Sequence, residues 1–440
     1  MISIRFIHIY LRQGGLTSLS RIIQVHERPG LWASIPLSLQ HLFAMFGATV
    51  LVPILFKADP ATILLMNGIG TLLYLFITKG KIPAYLGSSF AFLSPVFVVL
   101  SSKGYNAALG GFIVVGLIFT LVALLIRWAG TGWIDVVFPP AAMGAIVAVI
   151  GLELVPTAAG MAGLIAPSGA PTDWTPDPSA VTVSVVTLLV GIVGSVLFRG
   201  FLKVIPILVA IVVGYVLACF LGLVKINEAL SAAAWIQSPT FSTPEFDWSS
   251  IAIIAPAALV VIAEHIGHLI VTGNIVGKDL SKDPGLSRSL LGNGISTVIS
   301  GFVGSTPNTT YGENIGVMAI SRVYSVWIIG GAAVIAVVLS FVGKLSALIQ
   351  TIPTPVMGGV SLLLFGVIAA SGIRMLVETK VDYSKPVNLI LTTVVLVIGI
   401  SGAALKWGNF ELKGMALATV VAIVLSLFFK LLDVLKLSNE

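Results

Sequence analysis

"STPNTTYGENIG", residues 305–316, lies between two strongly apolar stretches, 288–304 and 317–321 with 324–342 beyond. Its first seven residues, Ser-Thr-Pro-Asn-Thr-Thr-Tyr, are poor helix formers and include β-favouring Thr and Tyr. Gly312-Glu313-Asn314 then open a helical pattern. Free N–H groups and the positive dipole end of a helix favour a carboxylate at that place, which is where Glu313 stands. The spacing predicts a short extended segment followed by a half-helix. If the flanking stretches cross a bilayer, such a backbone survives at depth only when it is buried in protein or lines a cavity.

The composition says that they do cross one. Of 440 residues 57% are hydrophobic and 10% charged, with a mean hydropathy of +1.07, against roughly 25% charged residues in soluble domains. The net charge of +6 points to Lys- and Arg-rich inner loops rather than to nucleic acid. Cys219 stands alone in an apolar run, so no disulfide framework or cysteine metal site is available. Residues 1–30 carry Arg5, Arg12, Arg21 and Arg28 without a long apolar core, and are expected to form a cytoplasmic tail.

Hydropathy predicts fourteen spans, at 35–56, 60–79, 82–102, 107–128, 132–155, 179–198, 203–223, 251–272, 288–304, 305–321, 324–342, 346–372, 387–405 and 413–432. With both termini inside, eighteen of the 24 Lys and Arg fall on the inner side, and six, Lys225 among them, fall outside. Fourteen suggests two sevens, and an odd-numbered repeat must insert its second half upside down. "PPAAMG" (139–144) is echoed by "PTPVMG" (353–358), Gly110-Gly111 by Gly330-Gly331, and Gln40-His41 by Glu264-His265. The interrupted spans three and ten occupy matching places in the two halves, which is the sequence pointer to a transporter's binding site.

Ionisable residues inside the spans are costly and mark function. Asp135 and Glu153 lie near span ends and are expected to be interfacial or structural. Glu264 sits mid-span in "LVVIAEHIGHLIV", with His268 four residues on and on the same helical face, a pairing suited to proton transfer. His265 points elsewhere and is expected to be structural. The "HIGH" segment does not match the His-Glu-x-x-His zinc pattern, because the Glu precedes the first His, and no metal site is expected.

Span three repeats the device of span ten: in "PAYLGSSFAFLSP" (83–95), Gly87-Ser88-Ser89 precede Phe90 and an apolar half-helix. Two extended segments crossing near the midplane would present backbone N–H and C=O groups, with Phe90 and Tyr311 beside them and two carboxylates near. That set suits a small flat solute bearing both N–H and C=O groups, such as a nucleobase, and repels an inorganic anion. The polar residues concentrate at one depth, which argues against a channel, and no Ser or Cys has the base partner of a hydrolase nucleophile.

These residues resemble the nucleobase–ascorbate transporter (nucleobase:cation symporter-2) family from about Glu27 to about Leu432. The family signature appears as Glu313-Asn314-Ile315-Gly316-Val317-Met318-Ala319-Ile320-Ser321-Arg322, with Ser321 in place of Thr, and its Gln-His pair as Gln40-His41. The resemblance implies that Glu264 and Glu313 hold the base edge, that the backbone of Phe90 and Gly312 contacts the ring, and that His268 acts with Glu264 in proton coupling. It also implies seven plus seven inverted segments, all-α apart from short β-strands in segments three and ten. A core domain (31–130 and 251–343) would move against a gate domain (131–250 and 344–440) within a homodimer. The expected activity is import of uracil with a proton across the cytoplasmic membrane, with no other cofactor and no enzymatic chemistry. Another nucleobase such as xanthine, or less readily an anion, is the alternative cargo.

Overall fold

A computed structural model describes residues 22–167, 169–224, 226–407 and 410–437. Arg5, Arg12, Arg21 and Lys225, with the tail up to residue 21, lie outside the described residues. The chain is mostly helical. In order it forms α1 (Leu31–Ala44), α2 (Phe46–Phe56), α3 (Pro60–Ile77), β1 (Leu86–Ser88), α4 (Leu93–Ser102), α5 (Tyr105–Ala129), α6 (Ile134–Val137), α7 (Pro140–Glu153) and α8 (Val155–Met161). Then come α9 (Pro178–Leu197), α10 (Pro206–Phe220), α11 (Ile226–Ala232), α12 (Trp248–Ile254), α13 (Ala257–Val276), α14 (Leu286–Val303), β2 (Asn308–Thr310) and α15 (Gly312–Ser321). The last are α16 (Val326–Leu339), α17 (Gly343–Gln350), α18 (Thr354–Glu378), α19 (Pro386–Ile400), β3 (Ala404–Trp407), β4 (Phe410–Lys413) and α20 (Gly414–Val434).

Among the described residues seven helices are long and apolar enough to cross a membrane, or eight if the pair α1–α2, bent by 41°, counts as one. Four shorter apolar helices of 10–17 residues accompany them. Several expected spans are broken where the local chemistry breaks them. The twelfth divides into α17 and α18 because Pro353 and Pro355 frame the new helix start, where a missing N–H costs nothing. Asp59 and Asp177 cap α3 and α9, each side chain accepting from a backbone N–H two residues on, with Pro at the first helical position.

Two further elements were absent from the hydropathy reading. Strands β3 and β4 pair antiparallel, with Lys406 and Glu411 3.3 Å apart across the ladder. The Gly408-Asn409 dipeptide between them is a hairpin signal that the surrounding hydropathy hid. The stretch 22–28, read as tail, docks on the corner that follows α15. Ile23 N donates to Arg322 O (3.0 Å), Tyr324 N to Ile23 O (2.8 Å) and Val326 N to Val25 O (2.9 Å).

The helices pack in two groups. In one, α14 lies against α3 and α5, and α16 against α1 and α3; in the other, α18 lies against α7, α8, α9 and α10, and α19 against α7 and α20. Small residues set the approach, as expected where lipid offers no hydrophobic drive between helices. A side chain at Gly151 would strike the carbonyl of Phe365, and Gly144 abuts Leu376 while Gly358 abuts Ala162. Gly151 and Phe365 are 214 residues apart, the interval between the two Pro-x-x-x-Met-Gly echoes, and at the same interval Gly144 corresponds to Gly358 and Ala162 to Leu376, so the other two contacts are each other's counterparts.

The other group carries a clearer echo. "NGIGTL" (67–72) in α3 recurs as "NGISTV" (293–298) in α14, and Gly70 packs directly on its counterpart Ser296. Along this contact Asn67, Thr71 and Tyr74 of α3 meet Ser289, Asn293, Ser296, Thr297 and Ser300 of α14, all at 0% exposure. The helical rise makes this seam about 16 Å long. It corrects the expectation that polar residues sit at one depth: their spacing of three and four turns them onto one buried face, which a hydropathy window averages away.

Candidate functional site

The two interrupted segments meet as a two-stranded antiparallel ladder, with Leu86 opposite Thr310, Gly87 opposite Thr309 and Ser88 opposite Asn308. Ser89 N donates to Pro307 O (3.2 Å) and Tyr311 N to Tyr85 O (3.0 Å), which extends the pairing by a residue at each end. Each strand is held from behind by a threonine. Leu86 N donates to Thr71 Oγ1 (2.9 Å), and Asn308 N to Thr297 Oγ1 (3.1 Å). A side chain at Gly87 would collide with the Tyr311 ring, so only glycine lets the two strands close.

Both strands feed half-helices. Phe90–Phe92 forms a 3₁₀ turn that leads into α4, and Gly312 opens α15 with Glu313 in its first turn. The two helix N-termini therefore approach the ladder with unsatisfied backbone donors. Glu264 of α13 stands against this crossing, with Ser89 and Glu313 near its carboxyl group. Its Oε2 is buried and has no hydrogen-bond partner among the described residues. An open acceptor is what a ligand N–H requires.

His268 does not hydrogen-bond to Glu264. Its Nδ1 is joined to Thr310 Oγ1 at 3.1 Å, because β2 comes closer to that helix face than the preceding turn does. Its Nε2 faces Gly312. His265 turns to the other side of α13, where Nε2 meets Ser289 Oγ at 2.8 Å and Ser289 meets Tyr74 at 2.6 Å. Phe90 is buried and packs edge-on against Phe365 of α18, ring centroids 5.8 Å apart, so it touches the second helix group. Tyr311 lies behind the ladder rather than facing an open wall, with its ring against Gly87.

The signature residues buttress the half-helix. Asn314 Nδ2 donates to His41 O (3.1 Å) and lies 3.2 Å from His41 Nδ1, tying α15 to α1. Among the described residues no side-chain hydrogen bond joins Gln40 to the site. Ser321 Oγ accepts from Val323 N, and Arg322 closes α15 in the left-handed conformation at φ 57°. Gly316 lines a cleft of about 80 Å³ that runs between the two helix groups from His268 and Gly312 to Arg374 and Glu378. A larger bowl of about 880 Å³ opens near Asp59, Tyr105 and Gln350, away from the two carboxylates.

The two acids near span ends have different surroundings. Asp135 is exposed in α6. Glu153 caps α20, its Oε2 accepting from Met415 N at 2.9 Å. Among the described residues no three His, Cys, Asp or Glu side chains come together to hold a metal ion.

Crossed strands between half-helices, with carboxylates at the crossing, define a multi-pass membrane transporter. The transmembrane domain of a cyanobacterial bicarbonate transporter, BicA, has a similar fold, with a TM-score of 0.58 at 15% identity, covering 94% of this chain and 99% of that one. A sequence model described as "Permease family" matches residues 33–408, and the chain belongs to this family of nucleobase–ascorbate transporters. It is 72% identical over 420 residues to a uracil permease of Paenibacillus larvae, covering 96% of this chain and 99% of that protein. It is 66% identical over 416 residues to a uracil permease of Escherichia coli K12, covering 94% and 96%.

Proposed function

We propose that this chain imports uracil together with a proton across the cytoplasmic membrane by alternating access. The observation that carries the substrate class is the meeting, at one crossing, of the open carboxylate oxygen of Glu264, the Glu313 carboxyl group and the backbone donors that start α15. Carboxylates accept from ring N–H groups, and helix-end N–H groups donate to ring carbonyls; uracil offers both on one flat edge. Relatives named uracil permease, similar over nearly the whole chain, favour uracil over xanthine or another base. An anion as cargo is disfavoured by the two carboxylates, although the fold is shared with a bicarbonate transporter.

In this reading Glu264, Glu313, Gly312 and the Phe90 backbone bind the base, and Tyr311 supports the crossing from behind. His268, set by Thr310, works with Glu264 in proton coupling. Cotransport of a neutral base with H⁺ is driven inward by the gradient and by the negative interior. The contacts between positions 214 and 226 residues apart support fourteen segments arranged as two inverted sevens. Partition of the helices into two packed groups supports a core domain (31–130, 251–343) moving against a gate domain (131–250, 344–440). The reading includes cytoplasmic termini, from the Lys and Arg asymmetry of the loops, and two copies in a dimer.

Radiolabelled uracil uptake by cells expressing the chain, with and without a protonophore, tests the reading. Uptake that collapses with the gradient is expected. Uptake unaffected by the protonophore removes proton coupling, and no uracil uptake from protein present in the membrane removes uracil.

A further inference from the structure

The repeated Asn-Gly-Ile-x-Thr motif places two asparagines, Asn67 and Asn293, inside the α3–α14 seam. Both are completely buried, and neither the Oδ1 nor the Nδ2 of either has a hydrogen-bond partner among the described residues. Four unpaired amide atoms in a membrane-embedded helix group would each cost on the order of a hydrogen bond or more. The two asparagines come from separate copies of the motif and flank the Gly70–Ser296 contact, so the same feature arises twice.

Their neighbours explain what such a feature does. One turn beyond each asparagine is the threonine that grips a strand: Thr71 takes Leu86 N, and Thr297 takes Asn308 N. Asn308 in turn reaches Ser296 Oγ at 2.6 Å and Ser300 Oγ at 3.2 Å, while its own Oδ1 is unpaired. Buried water ordinarily satisfies such groups, each molecule making about three hydrogen bonds. The seam has the required chemistry: amide donors and acceptors, hydroxyls and main-chain carbonyls, with no charge to attract an ion.

We propose that Asn67 and Asn293 each hold ordered water inside the α3–α14 seam, and that they act as positioning residues for strands β1 and β2. Water at these places links the amides to the threonine and serine hydroxyls, so that both strands rest on one hydrogen-bonded support. Hydration of the seam is independent of the cargo; the positioning role rests on the reading of β1 and β2 as the binding backbone.

A structure of the full-length protein at a resolution that shows solvent tests the first part. Water peaks within hydrogen-bonding distance of both amides are expected. A dry seam with the amides paired to protein groups, or a bound cation in place of water, overturns it. For the second part, uptake kinetics are measured for Asn293→Leu, which fills the space with hydrocarbon, and Asn293→Ser, which keeps a polar group and room for water. Loss of one hydrogen-bonded support is expected to raise KM for uracil about fivefold in the Leu variant with maximal rate changed less than about twofold, and the Ser variant to restore KM. Equal loss of maximal rate and unchanged KM, or no rescue by Ser, overturns the positioning role. If Asn293→Leu does not reach the membrane, Asn67→Leu and Asn67→Ser give the same comparison from the other repeat. If the parent transports another base, the same KM comparison is made with that base.

Discussion

Thr310 in strand β2 and His268 in α13 are joined by a hydrogen bond of 3.1 Å between Oγ1 and Nδ1. The strand that pairs with β1 thereby orients the imidazole beside it, and His268 Nε2 is left facing Gly312. In the proposed reading, substrate contact and imidazole position are mechanically one unit. Removing the hydroxyl should separate them. Thr310→Val is expected to lower proton-driven uptake about fivefold, the worth of roughly one hydrogen bond, and Thr310→Ser to retain most of it. Initial rates across an imposed pH gradient decide; equal rates in the Val variant and the parent would exclude a role for the bond.

Glu264→Gln and Glu313→Ala should each reduce uracil uptake at least about tenfold, since each removes a buried carboxyl acceptor, and a buried N–H left without its partner costs about 1–3 kcal/mol. Membrane insertion should be unchanged, because the strand ladder does not depend on either carboxylate. Uptake measured against the amount of protein in the membrane fraction checks both. Full transport by either variant would remove it from the site.

Gly87→Val should abolish uptake. Any side chain there meets the Tyr311 ring, so the strands must separate or Tyr311 must leave its buried position. The expected outcome is protein in the membrane with a lowered thermal midpoint and no measurable uptake; wild-type uptake would show that the ladder opens freely.

The two acids outside the crossing should behave differently from each other. Asp135→Asn is expected to keep substantial activity, because Asp135 is exposed. Glu153→Ala removes the acceptor for Met415 N at the start of α20 and should destabilise by about 1 kcal/mol. Thermal unfolding in detergent, read with uptake, distinguishes the two; complete loss of activity in Asp135→Asn would overturn its assignment.

Outside the membrane, hydrogen bonds from Ser249 and Ser250, with Lys103 nearby, hold the Asp247 carboxyl well below the usual carboxylate range. A lowered folded-state value means that the ionised form stabilises the fold above the unfolded value of about 3.9. That stability is lost as pH falls further, through the folded value. The difference in thermal midpoint between the parent and Asp247→Asn should be constant from neutral pH down to about pH 5 and shrink only below about pH 4. A difference that disappears between pH 7 and pH 5 would contradict this.

The opening stretch of sequence was legible because its chemistry is local. Pro, Asn and Thr before Gly312-Glu313 forbid one continuous helix, and the structure places β2 and α15 on those residues. The same holds for span three. Caps at Asp59 and Asp177 are equally local. By contrast, the Asn-Gly-Ile-x-Thr repeat is present in the sequence but hidden from a hydropathy window, in which its residues read as ordinary apolar helix. The partner of His268 is not local: helical spacing brings Glu264 into range, but a strand 42 residues away in sequence comes closer to the imidazole.

By itself the sequence determined that the chain crosses a membrane repeatedly, where its helices break and which carboxylates are too costly to be incidental. These follow from the hydrocarbon thickness, from backbone hydrogen bonding and from the cost of burying charge, all of which act on neighbours along the chain. Only the tertiary structure decided which groups meet: that β1 pairs with β2 in this register, that Asn314 holds His41, that Phe90 reaches Phe365, and that α3 and α14 share a polar seam. Those contacts join residues far apart in the chain, and side-chain volume and open hydrogen-bonding valence select them only once the helices are packed.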